Sequence, residues 1–273
     1  MTDESRGMMT YNGEAGPVQT YLARPGVQGP RPAVIVIHEI VGLTDHIKHV
    51  ADRFAHEGYV AFAPNLFSRP GLAEVMTHSN IELSMQFMMT IPRDKWSDQA
   101  FIQQAASQLP QEKRETLQRV RSVMFGGGIP KDRLTQDLVN AVDYLHAQDF
   151  VQSGKIASVG FCFGGGMSIN LACHAKLAAC VIFYGENPNP IELVENIACP
   201  ILGNYGAEDM RINAHLDELV KAMVTYKKDF EMRIYPNAAH AFFNETTPMY
   251  NDAAARDAWE RVLRFYKRAL TDA

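Results

Sequence analysis

Two kinds of apolar pattern alternate along the chain. Short runs such as PAVIVI at 32–37 and YVAFAP at 59–64 are almost wholly apolar, as strands buried on both faces must be. Between them, DHIKHVADRFAHE at 45–57 spaces Ile47, Val50 and Phe54 for one helical face. Thr44 or Asp45 caps its start and Gly58 stops it. The short links of this β–α–β unit predict a right-handed crossover. The alternation returns later in the chain. Residues 132–148 predict a helix with Leu134, Leu138, Val142 and Leu145 on one face. KIASVGF predicts a strand, 165–175 a helix, AACVIFYG and PILGNYG strands, 213–224 a helix, FEMRIYP a strand and 251–270 a closing helix. Strands alternating with helices predict an α/β class with a mostly parallel central sheet and helices on both faces.

Residues 71–128 break the rhythm. They carry helix formers, five methionines (Met76, Met85, Met88, Met89, Met124), a break at Pro110 and the run FGGGIP. They are expected to form a helical insertion, either an extra core layer or a cap hinged on the glycines. The polar, acidic start MTDESRGMMTYNGEAG predicts a loose tip over 1–16, without an apolar signal core. Residues 17–273 are then one domain with its insertion at 71–128, which suits a length of 273.

A net charge of -5 gives no reason to expect nucleic acid or an anionic membrane as a partner. No apolar run reaches the roughly 18 residues of a membrane span. The four cysteines make no CxxC pair and no zinc spacing, which fits a reducing, cytoplasmic setting and predicts no metal. Cys173, Cys180 and Cys199 lie in apolar stretches and read as core fillers.

Cys162 is different. VGFCFGGG at 159–166 places it after a strand and before a helix, in the pattern Gly160-Phe161-Cys162-Phe163-Gly164. This G-x-C-x-G has the spacing of a nucleophile elbow with sulfur at its centre. A sharp strand-to-helix turn strains the central residue, and flanking glycines remove the Cβ atoms that would clash. The following helix N-terminus favours a thiolate and offers N–H groups to an oxyanion. Such a thiol needs a base, and the base an orienting acid, in the chain order nucleophile, acid, histidine. Downstream, PILGNYGAEDMRI carries Glu208 and Asp209 just after a strand, and IYPNAAHAFFNET carries His240 after another. Spacing from Gly206 favours Asp209 as the acid. Both turns lie at the carboxyl ends of strands, where open α/β sheets place ligands. If His240 is the base, activity should fall in acid near the ordinary imidazole range. Of the other histidines, His46, His49, His56, His146 and His215 read as solvated helix-surface residues and His174 as packing. His38-Glu39 lacks the second histidine of a metalloprotease motif.

With these positions placed, the sequence resembles the dienelactone hydrolase family of α/β-hydrolases. The matching pieces are HEIVGLTDHIKHVADRFAHEGYVAFAPNLFSR, VGFCFGG, the G-x-x-D at Gly206–Asp209, and AAHAFFN. The resemblance implies an α/β-hydrolase fold and no dissociable cofactor. Cys162 would be nucleophile, His240 general base and acid, and Asp209 its orienting partner. The backbone N–H groups of Ile40 and Phe163 would form the oxyanion hole, and Glu39 would lie against the resting thiol. The implied partner is a small ester or lactone, hydrolysed through an acyl-thioester by a monomer or weak homodimer. Phe161, Tyr184, Phe242 and Phe243 could line its pocket, or simply be core. Well-known members carry a carboxylate-gripping arginine four residues after the histidine. Here that position is Asn244, and a neutral amide cannot replace a bidentate guanidinium. Arg93, Arg114, Arg119 and Arg121 are unranked candidates for a second carboxylate-binding arginine. An apolar or differently charged ester therefore stands beside dienelactone as substrate. Two other classes share the site: a thiol sensor of peroxide or electrophiles, which lacks an evident resolving cysteine, and a non-catalytic ligand-binding member.

Overall fold

Eight strands form one sheet in the computed structural model, which describes residues 5–96 and 98–270. They are β1 (Arg6–Gly13), β2 (Gly16–Ala23), β3 (Arg31–Ile37), β4 (Val60–Pro64), β5 (Val151–Phe161), β6 (Ala179–Phe183), β7 (Ile201–Gly206) and β8 (Phe230–Tyr235). Their order across the sheet is β1-β2-β4-β3-β5-β6-β7-β8. β3 to β8 run parallel, and the β1–β2 hairpin joins β4 antiparallel. The helices are α1 (Asp45–His56), α2 (His78–Met89), α3 (Gln99–Ser107), α4 (Gln111–Phe125), α5 (Lys131–His146), α6 (Phe163–His174), α7 (Met210–Asn213), α8 (Leu216–Thr225) and α9 (Asp252–Leu270). This is the α/β-hydrolase architecture. Among the described residues no helix is long and apolar enough to cross a membrane.

The chain divides into two compact units, Met1–Leu66 with Asp132–Ala273, and Phe67–Lys131. In the first, α1 and α9 cover one face of the sheet. Phe54 of α1 meets Trp259 and Tyr266 of α9 at ring distances of 4.6 and 5.9 Å, over Val34, Val36, Val159 and Val181. α5 and α6 cover the other face: Tyr144 stacks on Phe62, and Ser168 bonds Ser158 at 2.8 Å. The near-continuous apolar character of β3 to β7 follows from this double cover. The second unit is built from α2, α3 and α4 around Phe87, Ile91, Ile102 and Leu117.

The expected loose tip is instead mostly strand. Tyr11 of β1 is buried, its ring 5.3 Å from that of Phe62 and its hydroxyl donating to the Asp137 carbonyl oxygen. A two-residue turn at Glu14-Ala15 joins β1 to β2, and the Glu14 N–H donates to the Asp137 carboxylate at 2.7 Å. Only Tyr11, Val18, Thr20 and Ala23 of this hairpin are buried. One-sided burial leaves the polar alternation that made the segment look like a tail. Residues 1–4 of that tip lie outside the described residues.

Candidate active site

The turn after β5 is strained as the G-x-C-x-G pattern requires. Cys162 has φ 55° and ψ -117°, a region that residues with a Cβ rarely occupy. Its N–H donates to the Phe183 carbonyl at 3.0 Å, while its own carbonyl accepts from Gly165 at 2.9 Å and starts α6. A Cβ on Gly160 would lie 1.8 Å from the Gly164 oxygen, and one on Gly164 2.2 Å from the Ile37 oxygen. Glycine at both positions is what lets α6 start against the end of β3. The half-buried thiol thereby sits at the helix N-terminus, with the next ring, Phe163, 6.3 Å from that of His38; His38 leads into the Glu39-Ile40 turn, which is closed by Gly42 N–H to the Glu39 carbonyl at 3.0 Å. Phe163 is the first residue of α6 and directly follows Cys162.

Asp209 and His240 come from neighbouring strands. Asp209 follows β7 and caps α7; His240 lies in the turn after β8. Glu208 N–H donates to the Ala238 carbonyl at 3.0 Å, and a Cβ on Gly206 would come within 2.3 Å of that same oxygen. The two turns are therefore pressed together, and the Asp209 carboxylate accepts from His240 Nδ1 at 2.5 Å. Asp209 is buried, whereas Glu208 is exposed, so the geometry selects between the two acids. Burial pulls the His240 imidazole down. Hydrogen bonds to Asp209 and to the Cys162 thiol, with the charges of both, outweigh it and push His240 up to about 10.

Glu39 is buried, and burial raises its carboxyl against the opposing pull of His46, the Asn244 amide and His240. Asn244 is not an open pocket residue. It is buried, donates through Nδ2 to Glu39 at 2.6 Å, and accepts at Oδ1 from the Thr246 N–H and hydroxyl. Those two donors fix which end of the amide faces Glu39. Phe161, Tyr184, Phe242 and Phe243 are all at most 2% exposed and pack on one another, with Phe161 and Phe183 stacked at 4.8 Å. They are core, and only Tyr184 reaches the chemistry directly, with its ring centroid 5.0 Å from that of His240.

Two histidines are the reverse of expectation. His174 is exposed. His46 is buried, with Nδ1 2.8 Å from Glu245 and its ring edge toward Phe161 and Phe243. Its position four residues before Val50 and eight before Phe54 puts it on the apolar stripe of α1, a signal that the sequence did carry. His38 is structural. Its Nδ1 bonds the Glu39 carbonyl and its Nε2 accepts the Leu66 N–H, and burial drops it to about 4. Burial pushes Cys173 up to about 12 and Cys180 up to about 11, and raises Cys199 as well, so these three stay protonated and unreactive. Arg93, Arg114, Arg119 and Arg121 all belong to the second unit. There Arg114 donates to the Ser107 carbonyl, Arg119 to Thr116, and Arg121 to Met88 and Gln99. Among the described residues no group of three or more His, Cys, Asp or Glu could hold a metal ion.

A strained cysteine at a helix start and a histidine–carboxylate pair from the ends of β7 and β8 stand together on an α/β-hydrolase fold. The family model of the dienelactone hydrolase family matches residues 18–270, and the chain belongs to that family. It is 40% identical over 258 residues to a Saccharolobus solfataricus protein named "Putative carboxymethylenebutenolidase", covering 94% of this chain and 96% of that one. Among solved structures it resembles a dienelactone hydrolase from Anabaena variabilis (TM-score 0.66, 16% identity, 98% and 99% of the two chains covered). It also resembles a dienelactone hydrolase-like promiscuous phosphotriesterase from metagenomic libraries (TM-score 0.66, 22% identity, 97% and 98% covered). At these identities the two structures speak to the fold alone.

Proposed function

We propose that the protein hydrolyses a carboxylic ester or lactone through an acyl-thioester on Cys162, with His240 and Asp209 completing a catalytic triad. The observation that carries this reading is the Asp209–His240 bond of 2.5 Å, together with the strained elbow cysteine whose charge acts on the same imidazole. The name of the Saccharolobus relative supports a lactone-opening activity. Asn244, committed to Glu39, offers no cation to a substrate carboxylate, so the class proposed is an ester or lactone with no required carboxylate.

The Cys162 sulfur, as thiolate, attacks the carbonyl carbon. The negative charge moves to the carbonyl oxygen and is met by the N–H groups of Phe163 and Ile40. As the tetrahedral species collapses, the C–O bond breaks and the His240 imidazolium gives its proton to the leaving alkoxide. In a lactone that alkoxide stays attached as a hydroxyl group. Water then attacks the thioester while His240 takes its proton. The C–S bond breaks, releasing a carboxylic acid and restoring the thiolate and imidazolium. Asp209 holds the imidazole orientation throughout. The test is rapid quenching of wild-type protein with a short p-nitrophenyl ester, followed by intact-mass and peptide analysis. An acyl adduct on Cys162 is expected; turnover with the adduct on a serine, or with none at any quench time, overturns the thioester route.

A pH profile adds a second check. Because His240 is raised to about 10, its imidazole is protonated across neutral pH. kcat/KM should therefore pass through the ordinary imidazole value near 6.5 without a step. It should fall on the alkaline side, as His240 loses the proton it must give to the alkoxide. In the acyl-enzyme the thiolate charge is gone and only Asp209 still raises the imidazole. The acid limb of kcat, which needs neutral His240, should accordingly lie at lower pH than the alkaline limb of kcat/KM. Stopped-flow and steady-state profiles over the same pH range separate the two.

A further inference from the structure

We propose that β8 is the contact strand of a homodimer, in which two copies join their sheets edge to edge, antiparallel, about a two-fold axis at Met232. β8 is the last strand of the sheet. Glu231, Met232, Arg233 and Ile234 are all exposed, which is unusual for four successive residues of a strand. No proline interrupts Phe230–Tyr235, and Met232 and Ile234 expose 39% and 40% of their surface on one side of it. Such an edge is a template for another strand.

The backbone settles which groups are available. The Asp229 carbonyl accepts from Ile201 N–H and the Tyr235 carbonyl from Ala207 N–H, both at 2.9 Å. In a parallel ladder every second residue faces the neighbour. Residues 229, 231, 233 and 235 therefore point toward β7, and the N–H and C=O groups of Phe230, Met232 and Ile234 point outward. An antiparallel copy centred on Met232 matches these outward groups one for one. Met232 bonds the partner's Met232, and Phe230 and Ile234 bond the partner's Ile234 and Phe230.

The side chains choose the same register. Glu231 then stands directly opposite the partner's Arg233, and Arg233 opposite the partner's Glu231, on one face. Phe230, Met232 and Ile234 meet their partners on the other. Opposite charges directly across an antiparallel pair stabilise it, and like charges oppose it. Neighbouring registers are disfavoured. An axis at residue 231 sets Glu231 against Glu231, and an axis at 233 sets Arg233 against Arg233. An axis at 230 puts Glu231 against Asp229. An axis at 234 pairs Met232 with Pro236, which has no N–H to give. Arg268 of α9 bonds Glu231 within the chain and holds its carboxylate at this edge. The opposite edge, β1, reads RGMMTYNG with Arg6 as its single charge and has no such self-complementarity.

Sedimentation velocity over a wide concentration range tests the proposal with the full chain. Wild type is expected at twice the chain mass. Arg233→Glu alone and Glu231→Arg alone should each run at the chain mass, because each sets like charges opposite each other twice. An equimolar mixture of the two should return to twice the chain mass, since both cross-strand pairs are then restored. Ile234→Lys, at an exposed position, should also be monomeric and carries the test if circular dichroism shows that a charge variant has not folded. A wild type that stays at the chain mass to its highest soluble concentration overturns the proposal. So does a dimer indifferent to both charge reversals and Ile234→Lys, or a folded mixture that stays monomeric.

Discussion

Cys162→Ala is expected to lower kcat for a short p-nitrophenyl ester by about 10⁴-fold or more. The magnitude follows from what the thiol alone supplies. It is the atom that forms the covalent bond, and water in its place would need activation by His240 from a geometry built for sulfur. The variant should fold normally. The thiol is half-buried at the surface of the turn, and alanine carries the same Cβ at φ 55° that cysteine already tolerates. KM should change little, because the oxyanion N–H groups of Phe163 and Ile40 belong to the backbone. Far-ultraviolet circular dichroism and active-site titration would accompany the kinetics. Retention of full activity would remove the nucleophile role from Cys162, and with it the thiolate that helps raise His240.

The positions of the proposed triad were more legible in the sequence than the contacts around them. Cys162, Asp209 and His240 follow from turn spacing at three strand ends, because each must sit at a fixed offset from a glycine or a strand terminus. Their roles depend on contacts that no local pattern reports. Asn244 lies four residues from His240 in sequence, yet what decides its role is a hydrogen bond to Glu39, 205 residues away. His46 looked solvated because its neighbours Asp45 and Lys48 are charged; its helical phase with Val50 and Phe54 was the better guide. Phe161 is the last residue of β5 and points into the core, and Phe242 and Phe243 turn inward from the loop after β8, so nearness in sequence to Cys162 or His240 did not place them in a pocket. The β1–β2 hairpin escaped notice because a strand covered on one face lacks the continuous apolar run that marks β3 to β7. The raised His240 also could not be read from sequence, since it depends on the 2.5 Å approach of a buried carboxylate.

Gly164→Ala should damage stability and catalysis together, and comparison with Gly166→Ala makes the result specific. The run GGG at 164–166 looks uniform, but its members face different surroundings. A Cβ at 164 would lie 2.2 Å from the Ile37 oxygen and 2.5 Å from the His38 oxygen, both backbone atoms at the end of β3. Neither can move aside as a side chain could, so α6 must back away from the sheet. Overpacking of this kind costs about 1–3 kcal/mol. The displacement carries Cys162 and the Phe163 N–H away from the Glu39-Ile40 turn. A misplacement on the order of 1 Å in a catalytic group costs about 10²-fold in rate. A Cβ at 166 meets its nearest atom, the Glu186 oxygen, at 3.3 Å, a contact that a shift of a few tenths of an ångström relieves. Alanine is moreover about 1 kcal/mol better than glycine inside a helix. Gly166→Ala should therefore be near neutral or slightly stabilising, with kcat/KM within a few-fold of wild type. Urea midpoints and kcat/KM for the same ester, measured on both variants, decide the matter. Equal behaviour of the two would mean that close approach of α6 to β3 does not set the elbow. A loss confined to Gly164→Ala would tie the reactivity of the thiol to the absence of one methyl group pressed against the backbone of β3.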